Sequence, residues 1–300
     1  MADVHGLRVF TAVAEKMSLT RAGEAVGLTQ SAVSHQLAKL EAEFRVKLLE
    51  RRGRTIALTP AGHELLRYGA EIIQRVDALA GLMRSAADPG RGTLRIGATV
   101  TACQYLLPDP IRELRECFPG YAVNVLPGDS PVICPWLGSG HVDIGIVIRG
   151  EHTARLPTRK LFSDQLGLVC HPRHAFAESD KVTAGQLPGQ QWIMYNPASA
   201  TFGMVERHLT RLRVQIGSPI ELGSVEAIKE LVKVGLGINV LAKWVVRSEL
   251  AEGSLVWRPL PGPRLHRDWV IALPPHRTPR MVEDSAAEFC RTAAQELANE

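Results

Sequence analysis

The segment LTQSAVSHQLAKLE, residues 28–41, constrains the fold more than any other part of this 300-residue chain. Its apolar residues recur at helical spacing, which predicts an α-helix with one buried stripe. The stripe consists of Val33, Leu37, Leu40 and Phe44. The opposite face carries short polar side chains and no acid before Glu41. We therefore expect this helix to pack on one side and to offer a thin, hydrogen-bonding surface on the other.

Two shorter helices are predicted before this segment. The first carries an apolar face made of Leu7, Phe10, Val13 and Ala14. Ser18 is suited to cap a second helix that runs through Val26, and Gly27 is suited to the turn that follows it. Thr29 or Ser31 can then cap the helix described above. Helix, glycine turn and helix in this order form the helix-turn-helix pattern.

A β-hairpin wing is predicted after these helices, at residues 50–59 (ERRGRTIALT). Its central glycine marks the turn, and three arginines lie near the tip: Arg51, Arg52 and Arg54. Residues 1–60 hold nine Lys and Arg against six acids, a net charge of +3 out of +4 for the whole chain. A basic patch of this kind attracts phosphate locally although the whole protein is only weakly basic.

A long helix is predicted from Pro60 to the stop signal Asp88-Pro89-Gly90. Along it, a series of positions steps alternately by four and three residues: Leu65, Gly69, Ile72, Val76, Leu79 and Met83. This spacing is typical of a coiled-coil seam, with a weak point at Gly69. The helix can pack on its own domain or on a second copy, and its place between two domains favours a dimer.

Strand and helix patterns alternate from Thr93 onward, which predicts an α/β domain. The chain is thus divided into a DNA-binding-type domain at 1–59, a linker helix at 60–89 and an α/β domain at 90–300. Within the last, we expect lobe I at about 90–160 and 270–300, and lobe II at about 161–269.

The N-terminal third resembles a LysR-type transcriptional regulator. The matching residues are Leu7, Phe10, Val13, Ser18, Ala22, residues 29–34 (TQSAVS), Leu40, Glu41, Leu48, Arg51 and residues 58–62 (LTPAG). The rest is similar, more loosely, to that family's effector domain through LRIG, Pro108, Pro119, GHVDIGI and VKVGLGINVL. The resemblance implies an α/β protein with a winged helix-turn-helix, a long linker helix and a two-lobed effector domain like periplasmic binding proteins.

Three residues depart from the family pattern. Gly23 stands where a second Ala is usual, Arg45 where Gly is usual, and Leu49 where Phe is usual. We expect Gly23 to cost its helix up to ~1 kcal/mol. Arg45 is expected to change the turn after the third helix.

The exposed face of the third helix suits the DNA major groove, because small residues let a helix enter and a few polar ones read bases. Gln30 can pair with adenine, and His35 or Lys39 can reach guanine or phosphate. Residues near helix N-termini and in the wing suit phosphates. The candidate DNA-binding residues are Thr20, Arg21, Thr29, Gln30, Ser31, Ser34, His35, Lys39, Arg52 and Arg54.

An effector cleft is expected between the two lobes, at the carboxyl ends of their strands. The crossover strands are expected near residues 160–162 and 269–271. The candidate effector-binding residues are Thr99, Thr101, Ser130, Arg149, Asn196, Thr201 and Phe202. The family resemblance assigns contact with an effector carboxylate to Thr101 and Ser130 only. We therefore predict a small organic acid as the effector.

Cysteine usage leaves a second function open. The five cysteines form no C-x-x-C pair, which is typical of reduced thiols. Cys103 follows the first strand of the α/β domain, where a helix dipole would lower its pKa. A thiol redox-sensing regulator, with Cys134 as partner, is therefore an alternative. A solute-binding or catalytic α/β protein is a third.

Enzyme and membrane functions have little support in the sequence. It lacks the G-x-S-x-G elbow, the G-x-G-x-x-G turn and the P-loop, and its histidines show no metal-ligand spacing. The N-terminal residues are amphipathic and include acids, so we expect no leader peptide, and no long apolar run is present. We therefore expect a cytoplasmic regulator without catalytic residues, metal or cofactor. The expected partners are double-stranded DNA, a second copy in a homodimer or dimer of dimers, a small effector and RNA polymerase.

Overall fold

The structure is a computed structural model that describes residues 3–52, 55–87 and 90–299. It divides into an N-terminal unit, which contains the residues up to 87, and a C-terminal unit, which contains most of the rest. The N-terminal unit begins with three helices: α1 (Val4–Lys16), α2 (Leu19–Val26) and α3 (Gln30–Phe44). Two strands and a long helix follow: β1 (Leu49–Arg52), β2 (Thr55–Leu58) and α4 (Pro60–Ala87).

The helix ends follow the sequence signals closely. Ser18 caps α2 by accepting a hydrogen bond from the Arg21 amide, and Gly27 ends that helix in the left-handed conformation. Thr29, rather than Ser31, caps α3 through the Ala32 amide. These local hydrogen bonds satisfy amides that a helix N-terminus otherwise leaves unpaired. Residues within the segment itself therefore set where these helices begin and end.

The predicted stripe of α3 is buried over most of its length but not at its end. Val33, Leu37 and Leu40 pack in a core with α1 and α2. Phe44 was expected to continue this stripe, yet its side chain is 44% exposed. The prediction fails there because Phe44 is the last residue of α3, and the chain turns at Arg45 with a left-handed φ of 54°.

Gly23 has a structural role that its helix propensity does not indicate. A Cβ atom at this position would lie 2.5 Å from the carbonyl oxygen of Leu28. The Leu28 amide also donates a hydrogen bond to the carbonyl of Gly23. The expected cost in helix propensity is therefore only part of the effect of Gly23, because the glycine also permits close approach of the turn to the helix.

The wing and the linker helix form as predicted within the described residues. β1 and β2 pair antiparallel, with Leu49 opposite Leu58. Along α4, the later seam positions are exposed in the single chain: Ile72, Val76, Leu79 and Met83. The wing tip at residues 53–54, which includes Arg54, and the predicted stop at residues 88–89 lie outside the described residues.

The C-terminal unit alternates strands and helices. Its first part contains β3 (Gly92–Ala98), α5 (Val100–Tyr105), α6 (Pro108–Cys117), β4 (Tyr121–Pro127), α7 (Ser130–Ser139) and β5 (Ile144–Ile148). Its second part contains β6 (Thr158–Cys170), β7 (Ile193–Tyr195), α8 (Ala200–Arg211), β8 (Ile220–Leu222), α9 (Val225–Lys233), β9 (Asn239–Ala242), α10 (Arg247–Glu252) and β10 (Val256–Pro259). The unit ends with β11 (Leu265–Ala272) and α11 (Met281–Asn299).

One mixed sheet of seven strands extends through both parts of the C-terminal unit, and β7 and β8 form a separate parallel pair. Its strand order is β10-β6-β11-β5-β3-β4, and β9 also pairs with β6. β3 pairs parallel with β4 and β5, whereas β11 runs antiparallel to β5 and β6. The long strand β6 extends over both predicted parts of the domain, because one end pairs with β11 and the other with β9 and β10.

Two buried cores define the lobes. The lobe I core is formed by β3, β5, α5, α6 and α11, and the lobe II core by residues between 166 and 260. β6 and β11 pass between these cores and contain both expected crossover segments, near 160–162 and 269–271. The α/β architecture with a helix-turn-helix at its N-terminus is therefore confirmed.

Candidate functional sites

The outward face of α3 is the candidate nucleic-acid interface. Its exposed residues are Gln30, Ser31, His35 and Lys39, with Ser34 half-buried among them. The side chains of Gln30 and His35 make no hydrogen bond to another described residue. The hydroxyls of Thr29 and Ser31 lie 3.0 Å apart at the start of the helix. The face therefore presents hydrogen-bonding groups on a helix whose other side is fixed in the core.

Two of the candidate cations on this unit have protein partners. The Lys39 ammonium lies 3.3 Å from Oδ2 of Asp3, and both side chains are about half exposed. The Arg21 guanidinium donates to the carbonyl oxygen of Lys16 at 2.8 Å. Exposed contacts of this kind contribute at most ~1 kcal/mol. A competing phosphate therefore has little to overcome at either side chain.

The remaining predicted DNA-binding residues are Thr20, Arg52 and Arg54. Thr20 is exposed in the first turn of α2. The backbone of Arg52 pairs with Thr55 in the wing hairpin. Arg54 lies outside the described residues.

A small cavity of about 60 Å³ lies between the lobes and is called the cleft cavity here. Lobe I contributes Thr99, Thr101 and Asp129, and lobe II contributes Asn196, Ser199 and Thr201. Tyr195, Arg267 and Trp269 also line it. Four of the predicted effector residues therefore meet at one cavity: Thr99, Thr101, Asn196 and Thr201.

Three predicted effector residues lie elsewhere. The buried hydroxyl of Ser130 donates to the carbonyl of Ile148 at 3.2 Å and accepts from its amide, so it fixes the end of β5. The exposed Arg149 points its guanidinium to the hydroxyl of Thr158. Phe202 packs against the lobe II core. The cleft cavity lining includes none of the three, so their assignment to the effector stays a prediction from the sequence.

Local hydrogen bonds restrict some of the hydroxyls that do reach the cavity. The Thr99 hydroxyl accepts from the Ala102 amide at 3.2 Å and caps α5. The Thr201 hydroxyl accepts from Nη1 of Arg267 at 2.9 Å. Thr101 is half-buried and makes no side-chain hydrogen bond to another described residue. Thr101 is thus the predicted hydroxyl that is best placed to bind a ligand.

Arg267 is the main cleft residue that the sequence did not reveal. It is 5% exposed, and its Nε donates to Oδ1 of Asp164 at 2.9 Å while Nη2 donates to Oδ2. Asp164 also accepts from the indoles of Trp244 and Trp269, at 2.9 and 3.0 Å. Burial alone would lower the pKa of Arg267, but the charge of Asp164 outweighs it and raises that pKa. The guanidinium is therefore held permanently charged at the cavity.

Asp129 adds an acid to the cavity. Its carboxylate precedes α7 and makes no side-chain hydrogen bond to another described residue. Burial raises the pKa of Asp129, because a buried carboxylate without a partner favours the neutral form. The cavity therefore offers both donors and an acceptor, a combination that its hydroxyl residues alone do not indicate.

The environments of Cys103 and Cys134 do not favour a reactive thiolate. Cys103 is the fourth residue of α5, and its Sγ lies 3.7 Å from the carbonyl oxygen of Ala98. Burial raises the pKa of Cys103, and it raises the pKa of Cys134 to about 11. The expected lowering of the Cys103 pKa is therefore wrong. Neither thiol favours the thiolate that reacts with peroxide.

The described part of the chain also bears on metal binding and on membrane insertion. These residues contain no cluster of three or more side chains suited to a metal ion. None of their helices combines the length and apolar character that a membrane span requires.

Comparison with known proteins assigns both parts of the chain. Residues 4–63 match the family described as "Bacterial regulatory helix-turn-helix protein, lysR family", and residues 87–295 match the "LysR substrate binding domain". The chain is 31% identical over 275 residues to the probable RuBisCO transcriptional regulator of Nostoc sp., covering 89% of this chain and 82% of that protein. It is 29% identical over 294 residues to the regulator CbbR of Rhodospirillum rubrum, covering 96% of each.

A solved structure supports the same fold over the full length. The crystal structure of full-length CbnR in complex with its target DNA superposes with a TM-score of 0.70 at 19% identity, covering 97% of this chain and 100% of that one. The matched relatives are transcriptional regulators rather than enzymes. The chain therefore belongs to the LysR family of transcriptional regulators, with an N-terminal helix-turn-helix and a C-terminal substrate-binding domain.

Proposed function

We propose that α3 of this regulator reads DNA in the major groove and that the wing and the helix N-termini contact the flanking phosphates. The observation that carries this proposal is the exposed, unpartnered pair Gln30 and His35 on a helix whose other face is buried. The groove is about 12 Å wide, so the short side chains of Ser31 and Ser34 let the helix approach the bases. Gln30 would pair with adenine, while Thr20, Arg21, Thr29 and Lys39 would contact phosphate.

The test is footprinting of the full chain on an operator selected from genomic fragments. Ser34→Arg should abolish specific protection, because a long side chain blocks entry of α3 into the groove. Arg52→Ala and Arg54→Ala should weaken binding to all sequences and reduce the salt dependence. Arg173→Ala, an exposed arginine in the C-terminal unit, is the control and should bind normally. Unchanged footprints in the first three variants would contradict the assignment.

We propose further that the protein acts in the cytoplasm as a homodimer or dimer of dimers and contacts RNA polymerase. The exposed apolar positions of α4 support self-association, because an isolated helix gains nothing by exposing them. Two identical reading helices would recognise half-sites at whole turns of the duplex, about 10 bp apart or a multiple of that.

We propose that the effector is a small organic acid that also carries a hydroxyl or amino group and that it binds in the cleft cavity. Thr101 and Arg267 offer donors to its carboxylate, and Asp129 accepts from the second group. Asp164 already balances the charge of Arg267, so the Asp129 carboxyl gives the cavity an acceptor that a simple anion would leave unused. Since the cavity holds only about 60 Å³, a ligand larger than a few atoms must separate the lobes.

A thermal-shift screen of the full chain against hydroxy and amino acids tests this proposal. A ligand at 100 times its dissociation constant should stabilise the protein by about 2.7 kcal/mol. Thr101→Val and Asp129→Asn should each lose most of that shift and keep operator binding. Thr292→Val, an exposed threonine on α11, is the control. A normal shift in both cleft variants would place the effector elsewhere.

A further inference from the structure

A second cavity, larger than the cleft cavity, lies on the strands that join the lobes. Its volume is about 720 Å³, against about 60 Å³ between the lobes. Cavities of about 300–1,000 Å³ are typical of small-molecule sites. It is lined by the middle of β6, residues 243–250, residues 257–264 and Leu297 of α11. We call it the hinge cavity.

The walls of the hinge cavity are apolar and aromatic. Phe162 and Trp244 contribute rings that pack edge to face with centroids 5.6 Å apart. Both indoles of the lining have their N–H groups already satisfied, Trp244 by Asp164 and Trp257 by the carbonyl of Leu241. The rings are thus fixed in place and offer apolar surface rather than free donors.

The charges of the lining are almost all positive. Lys243, Arg247 and Arg264 are exposed at this cavity, and the Lys243 ammonium lies 4.7 Å from the ring centroid of Trp257. Among the residues of the lining, the only acid is Asp164. Its carboxylate is neutralised by the bidentate contact with Arg267. The cavity therefore combines an apolar wall with an excess of cations.

We propose that the hinge cavity is a second ligand site for an organic anion. The ligand would have an apolar part about as large as an aromatic ring system and a carboxylate or phosphate group. The apolar part would contact Trp244, Leu250 and Pro259, and the anionic group would pair with Arg264 and Lys243. Arginine and lysine beside an aromatic surface favour such ligands, because they pair with the anionic group while the apolar part of the ligand is removed from water. The site is separate from the cleft cavity, and Asp164 and Arg267 lie between the two.

Isothermal titration of the full chain with 1-naphthoate tests the proposal. Its charge-reversed analogue, 1-naphthylmethylamine, has a body of the same size and provides the chemical control. Naphthoate should bind the wild-type chain in the millimolar range or tighter, and the amine should bind at least tenfold more weakly. No binding of naphthoate, or equal binding of both compounds, would overturn the proposal.

Variants then locate the site. Arg264→Ala and Lys243→Ala should each weaken naphthoate binding by about tenfold, because each removes a charge-assisted contact. Arg173→Ala is the matched control and should change affinity less than twofold. Thr101→Val in the cleft cavity should also leave naphthoate binding unchanged. Normal binding in both hinge variants, or loss of binding in Thr101→Val, would place the anion elsewhere and refute the hinge site. Circular dichroism confirms that each variant is folded.

Discussion

The phenolic oxygen of Tyr105 accepts a hydrogen bond from Nζ of Lys229 at 3.0 Å, and 124 positions separate the two residues. Tyr105 ends α5 in lobe I, whereas Lys229 lies on α9 in lobe II. Lys229 is only 3% exposed and also pairs with Glu249 at 2.8 Å and Glu226 at 3.1 Å. A buried ammonium therefore links the two lobes.

Replacing Lys229 by Met should destabilise the protein strongly. The change leaves the buried Glu249 carboxylate without its main partner, which typically costs about 3–5 kcal/mol. Calorimetry should show a fall in unfolding temperature on the order of 10 °C. The double variant Lys229→Met/Glu249→Leu should recover most of this loss, because no buried charge is left unpaired and the Glu226 side chain is 47% exposed. Arg112→Met breaks an exposed pair with Asp109 and should change the temperature little. Equal falls in unfolding temperature for Lys229→Met and Arg112→Met would contradict the claim that burial makes the Lys229 pair more important for stability.

The same network should make stability depend on acid pH. Burial alone would raise the pKa of Glu249, but the hydrogen bond from Lys229 outweighs it and lowers that pKa below 4.5. A carboxyl with a lowered folded-state pKa stabilises above its unfolded-state pKa and loses that effect as pH falls through the folded-state pKa. The unfolding temperature should therefore decline below about pH 4.5. Glu249→Gln should flatten this decline, and an unchanged profile would assign it to other acids.

Gly23→Ala should destabilise the helix-turn-helix. Alanine normally gains up to ~1 kcal/mol over glycine in a helix, but here its Cβ would lie 2.5 Å from the Leu28 carbonyl oxygen. Moving this turn should cost about 1–3 kcal/mol. Gly69→Ala on α4 is the matched control, because its Cβ would meet only Leu7 at 3.6 Å. Gly69→Ala should slightly increase the free energy of unfolding. Thermal unfolding of both variants measures the difference, and stabilisation by both would refute the close approach.

Arg45→Gly should stabilise the turn after α3. Arg45 has a φ of 54°, a conformation that costs a residue with a side chain about 1–2 kcal/mol and glycine much less. Arg45→Ala removes the same charge but keeps the Cβ, so it separates the backbone effect from the charge. Chemical denaturation should give a larger free energy of unfolding for Arg45→Gly than for Arg45→Ala. If the two variants are equally stable, the turn does not strain the chain.

Val76→Lys should disrupt self-association. Val76 lies in the exposed apolar series of α4, and a charge at a core position of a coiled coil opposes pairing. Analytical ultracentrifugation should show monomers, with weaker operator binding. His63→Lys adds a similar charge to an exposed position outside the series and should remain assembled. Dimers that persist in Val76→Lys would exclude this seam.

The sequence by itself determined the parts that depend on neighbouring residues. Ser18, Gly27 and Thr29 cap and turn the helices where predicted, because each acts on backbone groups at most a few positions away. The apolar periodicities of α3, α4 and the strands are also local, because the regular geometry of a helix or a strand places residues at fixed spacings on the same face. The exposed end of the α3 stripe at Phe44 marks the limit of that reasoning.

Tertiary structure alone decided which side chains meet across long separations. Thr101 and Ser130 carried the same expectation, yet Thr101 reaches the cleft cavity while Ser130 turns to the backbone of β5. Arg267 and Asp164 are 103 positions apart, and only the antiparallel pairing of β6 with β11 brings them together. A local pattern contains no information on such pairing, because it records the face of a strand but not its neighbour.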